Sequence, residues 1–126
     1  MWYHREVAIS RAWDGRRNLL HFGAVDFSCE AFIDGKSVGS HVGGSSSFTF
    51  DITAHVQAGK RHHLVVHVQD ETRSGAQAGG KQSVLHASHG CSYTRVTGIW
   101  QTVWLEAVAP EGLEQVQVTP DLDGGR

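Results

Sequence analysis

A chain of 126 residues with a formal net charge of −2 has room for one domain and carries no electrostatic reason to bind nucleic acid or an anionic membrane. Apolar residues at 40% suit a globular core, and no run is long and apolar enough for a membrane helix or a signal-peptide core, which favours a cytoplasmic setting and leaves the compartment of any longer parent protein open. Two cysteines exclude a disulfide framework.

Strand patterns dominate from the start. Residues 2–9 mix aromatic and β-branched side chains, Asp14-Gly15 marks a turn, and residues 18–22 form a short apolar run. Residues 25–33 alternate, with Val25, Phe27, Cys29, Ala31 and Ile33 on one face, so Cys29 reads as a buried free thiol. Asp34-Gly35 then predicts a tight hairpin, with a return strand from Lys36. Residues 43–47 read as a Gly/Ser loop and 48–52 as a strand, and a single helical turn follows before Ala58-Gly59-Lys60. In residues 63–68 both parities hold apolar side chains, which predicts a strand covered on both faces.

Residues 70–91 form a long irregular segment, a length that in a compact domain points to function or disorder. Residues 98–107 alternate again, with Ile99, Gln101, Val103 and Leu105 opposite Trp100, Thr102, Trp104 and Glu106. After Pro110-Glu111-Gly112, residues 113–122 repeat a strand pattern. Short strands at roughly ten-residue spacing with glycine turns predict an all-β antiparallel sandwich.

Two constellations stand out chemically. Imidazole and thiolate in His86-Ala87-Ser88-His89-Gly90-Cys91 suit zinc, yet the spacing matches no finger pattern, so solvated loop residues are the favoured reading and no cofactor is expected. Trp2, Trp13, Trp100 and Trp104 are stacking candidates for the apolar face of a sugar. Core packing is favoured for Trp100 and Trp104, and partial exposure for Trp13 beside its turn. Arg95 reads as a loop-locking guanidinium with Asp26 or Asp70 as partner. No acidic cluster suggests calcium.

The run Tyr93-Thr94-Arg95-Val96-Thr97-Gly98-Ile99-Trp100-Gln101-Thr102-Val103-Trp104-Leu105-Glu106 resembles the Y-T-R-x-T-G-I-W-Q-x-V-W-L-E signature of the N-terminal sugar-binding domain of family-2 glycoside hydrolases. That family includes β-galactosidases, β-glucuronidases and β-mannosidases. Trp2-Tyr3-His4-Arg5-Glu6-Val7, Leu20-His21-Phe22-Gly23-Ala24-Val25-Asp26-Phe27, Phe32-Ile33-Asp34-Gly35, Phe48-Thr49-Phe50-Asp51-Ile52-Thr53 and Gly80-Lys81-Gln82 resemble further family stretches in the same order.

The resemblance implies a galactose-binding-domain-like jelly roll over residues 1–109, lacking an upstream edge strand. Residues 110–126 are then a linker and the opening strand of a following immunoglobulin-like domain. It implies a non-catalytic domain whose partners are β-glycosides and the barrel and immunoglobulin-like domains of a parent enzyme. Asp70, Lys81, Gln82, Tyr93 and Arg95, with Trp13 and Trp100, are its substrate-side or interface candidates. The aspartate that helps bind sugar in some β-galactosidases is replaced here by Ser92. In the family the catalytic glutamate follows an asparagine; the only asparagine here is Asn18, followed by Leu19, and a barrel of about 250 residues has no room. The alternative is a purely structural interaction domain, self-associating through open strand edges into a homodimer.

Overall fold

The computed structural model describes residues 1–113, 116–120 and 123–124. Among the described residues nine strands form: β1 (Trp2–Ala8), β2 (Arg17–Phe22), β3 (Val25–Asp26), β4 (Ser28–Ile33), β5 (Lys36–Val42), β6 (Phe48–Asp51), β7 (Arg61–Gln69), β8 (Gly98–Ile99) and β9 (Val103–Val108). Single 3-10 turns occupy Arg11–Trp13 and Thr53–His55, and the described residues contain no α-helix. A four-stranded sheet, order β1-β7-β4-β5, faces a three-stranded sheet, order β6-β2-β9, and a two-stranded ribbon joins β3 to β8. All these pairings are antiparallel, which makes the molecule a jelly-roll β-sandwich.

Alternation explains which face of each strand turns inward. Cys29, Ala31 and Ile33 of β4 and Leu64, Val66 and Val68 of β7 are buried together with Leu20 and Phe22 of β2. Phe22 stacks on Phe48 at 4.9 Å and meets the edge of Phe50 at 6.0 Å, paving the core-facing side of the three-stranded sheet. Each fully buried Leu, Ile, Val or Phe among them stabilises the fold by about 1.5–3 kcal/mol. The outer parity of β7 is only half covered: Val65 and His67 are half-buried, with Trp2 stacked on His67 at 4.1 Å. The expected cover on both faces is therefore incomplete, because no further layer of the described residues packs on that side.

The hairpin forms where expected. Asp34 and Gly35 adopt φ values of 48° and 80°, the conformation a two-residue turn demands. The Asp34 carboxylate then accepts from the His63 N–H (2.8 Å) and meets His62 Nδ1 (2.6 Å), docking the turn onto the neighbouring strand. The Gln57 N–H donates to His62 Nε2 at 3.0 Å, so the proton on this buried ring lies at Nδ1 and points to Asp34. These bonds from His63 and His62 hold the Asp34 carboxyl below its usual range.

Three expectations are corrected. Residues 25–33 are not one strand: the chain leaves the ribbon at Asp26 and enters the four-stranded sheet at Ser28, which leaves Phe27 half-buried at the step. Residues 98–107 divide likewise into β8 and β9, with Trp100, Gln101 and Thr102 crossing between ribbon and sheet. The strand expected over 113–122 is absent at Leu113 and at 116–120, which are exposed and irregular, while residues 114, 115, 121 and 122 lie outside the described residues. The cysteines behave as read: Cys29 is buried, its thiol pushed up to about 11 by burial, and Cys91 is exposed.

Candidate functional site

The ribbon builds the site. Val25 pairs with Ile99 and Asp26 with Gly98, which sets the Asp26 carboxylate beside the segment leading to Trp100. Gly98 is required at this point. Its φ is +111°, and a Cβ there would overlap the Tyr3 hydroxyl and lie 3.1 Å from Tyr3 Cζ. The Tyr3 hydroxyl in turn accepts the Ile99 N–H at 3.2 Å, so strand β1 clamps the start of the signature segment.

Trp100 leaves this clamp pointing outward, 51% exposed, with its indole N–H donating to the Gly44 carbonyl at 2.8 Å. Trp104 is also exposed, stacked on His21 at 4.8 Å on the outer face of the three-stranded sheet. Core packing, the expectation for both indoles, is thus overturned. The alternation is real, but Trp104 lies on its outward parity and Trp100 lies in the crossing rather than in a strand.

The irregular segment is pinned against the ribbon by Gln82. Its Nε2 donates to Asp26 Oδ2 at 2.8 Å, and its Oε1 accepts the Val96 N–H at 2.8 Å. Backbone bonds from Ser83 N–H to the Tyr93 carbonyl (2.7 Å) and from Tyr93 N–H to the Lys81 carbonyl (2.9 Å) fix the two arms of the segment together. Asp70 anchors the same region, accepting from the Thr97 hydroxyl at 2.6 Å and from the Gln77 side-chain amide. Burial pushes the Asp26 carboxyl up; the Gln82 hydrogen bond opposes this and the nearby Asp70 charge adds to it.

Asp26, Gln82, Tyr93 and Trp100 line one cleft of about 890 Å³, walled by Gly44 and Gly80. Trp100 also lines a neighbouring cleft of about 630 Å³ with Gln101 and Trp104. An exposed indole and phenol beside a carboxylate and an amide supply an apolar platform plus directional hydrogen-bonding groups.

The other sequence candidates separate from this cleft. Trp13 is half-buried in a pocket of about 350 Å³ at the far end of β2, with Arg16 and Asn18. Lys81 is exposed, with no ion pair among the described residues. Arg95 forms no ion pair with Asp26 or Asp70: its Nη2 faces His86 Nδ1 at 3.1 Å, while Asp26 accepts from Gln82 and Asp70 from Gln77 and Thr97. Arg73 Nη2 faces His86 Nε2 at 2.8 Å. His89 Nδ1 contacts the buried Ser83 hydroxyl at 3.0 Å, and Cys91 is exposed at the turn beyond it. Among the described residues no three His, Cys, Asp or Glu side chains converge as a metal site, and the two guanidiniums against His86 would repel a cation.

Asp26 is the site residue that sequence reasoning held only as an ion-pair partner. Its signal was present: it is the polar position of an apolar strand, immediately before the point where the alternation changes sheets.

Residues 1–109 match the profile described as glycosyl hydrolases family 2, sugar binding domain. The chain is 28% identical over 118 residues, 94% of its length, to a Formosa agariphila protein provisionally named a β-glucuronidase. It is 26% identical over 120 residues, 95% of its length, to a β-galactosidase of Thermoanaerobacter pseudethanolicus. It spans 13% and 15% of the lengths of these two relatives. In three dimensions it is similar to the Bacteroides uniformis β-glucuronidase, with a TM-score of 0.68 and 26% identity, covering 86% of this chain and 12% of that one.

Proposed function

The chain belongs to the sugar-binding domain family of the family-2 glycosyl hydrolases, and on that premise we propose that it is a non-catalytic, carbohydrate-binding accessory domain of such an enzyme. Its partners in this reading are β-glycosides of the kind the β-glucuronidase and β-galactosidase relatives are named for, and a catalytic barrel that performs the hydrolysis. The domain supplies one wall of the sugar site.

The observation that carries this reading is the exposed Trp100 indole beside Asp26 and Gln82 in one cleft. Its face stacks on the apolar side of a pyranose, while the carboxylate and amide bond the ring hydroxyls. Buried tryptophans would have favoured a purely structural domain. The test is titration of the chain with methyl β-galactoside and methyl β-glucuronide, followed by tryptophan fluorescence and calorimetry. Saturable binding that Trp100→Ala abolishes supports the reading; heat and fluorescence that stay flat to millimolar sugar reject autonomous binding.

A contact role is favoured separately by the outer face of the four-stranded sheet. There Trp2, 65% exposed, stacks on His67 and lies 6.4 Å from Phe32. An uncovered aromatic surface of this kind suits protein–protein contact. Self-association through it or through the open edges β1 and β5 makes the sedimentation coefficient rise with concentration, and a constant monomer value rejects it.

A further inference from the structure

Arg73 and Arg95 converge on one imidazole. Arg73 Nη2 lies 2.8 Å from His86 Nε2 and Arg95 Nη2 lies 3.1 Å from His86 Nδ1. A neutral imidazole has a single acceptor nitrogen, so the ring satisfies one guanidinium at a time and the other faces an N–H. The arrangement sets two fixed positive charges close together with less than one full acceptor for each. Neither guanidinium has a carboxylate at ion-pair distance among the described residues, whereas Arg17 is paired with Asp51 and Arg61 with Glu6.

From this geometry we infer an anion-binding subsite for the carboxylate of an acidic sugar, formed by Arg73 and Arg95 with His86 between them. Planar guanidinium forks match a carboxylate through paired, charge-assisted hydrogen bonds, and a bound carboxylate supplies the acceptors that the ring lacks. The subsite is tied to the Trp100 cleft by the chain itself. Arg95 directly precedes Val96, which lines that cleft and whose N–H is held by Gln82. Asp26 lines the cleft itself, and the cationic pair adjoins it in sequence through Arg95. The inference rests on the reading of the Trp100 cleft as a sugar site, and it adds a preference for a uronic acid.

The experiment compares methyl β-glucuronide with methyl β-glucoside, which differ only at C6, on the full chain at fixed ionic strength. The subsite predicts roughly tenfold tighter binding of the uronide, a ratio within reach of one charge-assisted hydrogen bond. The preference falls with added salt and disappears in the Arg73→Gln/Arg95→Gln variant, which then binds the two glycosides equally. Arg95→Lys, which keeps the charge and loses the fork, retains part of it. Equal affinities in the native chain, with both weakened by Trp100→Ala, overturn the carboxylate subsite and leave the sugar reading standing. A uronide preference undiminished in the double variant overturns the assignment to these arginines. Binding of the uronide that sodium sulfate at matched ionic strength displaces as well as glucuronate does overturns the sugar-acid specificity. Absence of binding by either glycoside removes the subsite together with the reading it rests on.

Discussion

Replacing Gly98 by alanine tests how the site is held. The backbone at Gly98 lies at φ +111°, a region that costs a residue with a Cβ about 1–3 kcal/mol. The new methyl also overlaps the Tyr3 hydroxyl, approaches Tyr3 Cζ to 3.1 Å and Met1 Sδ to 3.4 Å, and displacing a packed ring costs a further ~1–3 kcal/mol. Gly98→Ala should therefore destabilise the domain by about 2–6 kcal/mol, a large share of the roughly 5–15 kcal/mol that a domain possesses. Tyr3→Phe removes the overlapping oxygen and forfeits its hydrogen bond from Ile99, a loss of about 0.5–1.5 kcal/mol. Because the phenylalanine removes the atom that overlaps most, the double variant should be less destabilised than the sum of the two, by about 1–2 kcal/mol. Urea unfolding of the four proteins, followed by far-UV circular dichroism, measures each leg of the cycle. Strict additivity, or a Gly98→Ala cost below about 0.5 kcal/mol, would show that Tyr3 does not clamp this strand and would refute the reasoning.

Asp26 and Asp34 predict opposite responses to pH. Burial and Asp70 raise Asp26 above its unfolded value of about 3.9, so its stabilising contribution is complete below that value and is lost as pH rises through the folded one. Asp26→Asn should therefore raise the melting temperature at neutral pH and weaken glycoside binding; a lower melting temperature at pH 7 speaks against a desolvated carboxylate. Asp34 is lowered, so its contribution is complete above the unfolded value of about 3.9 and disappears as pH falls through the folded one. The acid limb of the stability profile should flatten in Asp34→Asn, and an unchanged limb would remove the turn from the account.

Much of the fold was legible because its signals are local. The alternation of Cys29, Ala31 and Ile33 and of Leu64, Val66 and Val68 follows from a period of two with one face buried, and Asp34-Gly35 carries the turn in its own backbone preferences. Strand breaks at Phe27 and at Trp100–Thr102 were hidden, since alternation continues unchanged when a chain passes from one sheet to another. The pairing partner decides where a strand ends, and that partner is distant in sequence: Asp26 with Gly98, Gly23 N–H with the Thr102 carbonyl. The site was legible in part. Gln82, Tyr93, Asp70 and Trp100 gather around the ribbon, but a large aromatic inside an apolar run reads as core until the crossing is seen. Arg95 turns to His86 and not to the acids expected for it, and nothing in the spacing of Arg73, His86 and Arg95 announces their convergence.

The measurement that bears most directly on the account is calorimetric titration of the native chain and Trp100→Ala with methyl β-glucuronide and methyl β-galactoside. Saturable binding by the native chain is expected, with a loss of roughly tenfold or more in the variant, the scale seen when an aromatic anchor is truncated. Equal binding by the two proteins would contradict it, because the sugar would then sit somewhere other than on the exposed indole beside Asp26 and Gln82.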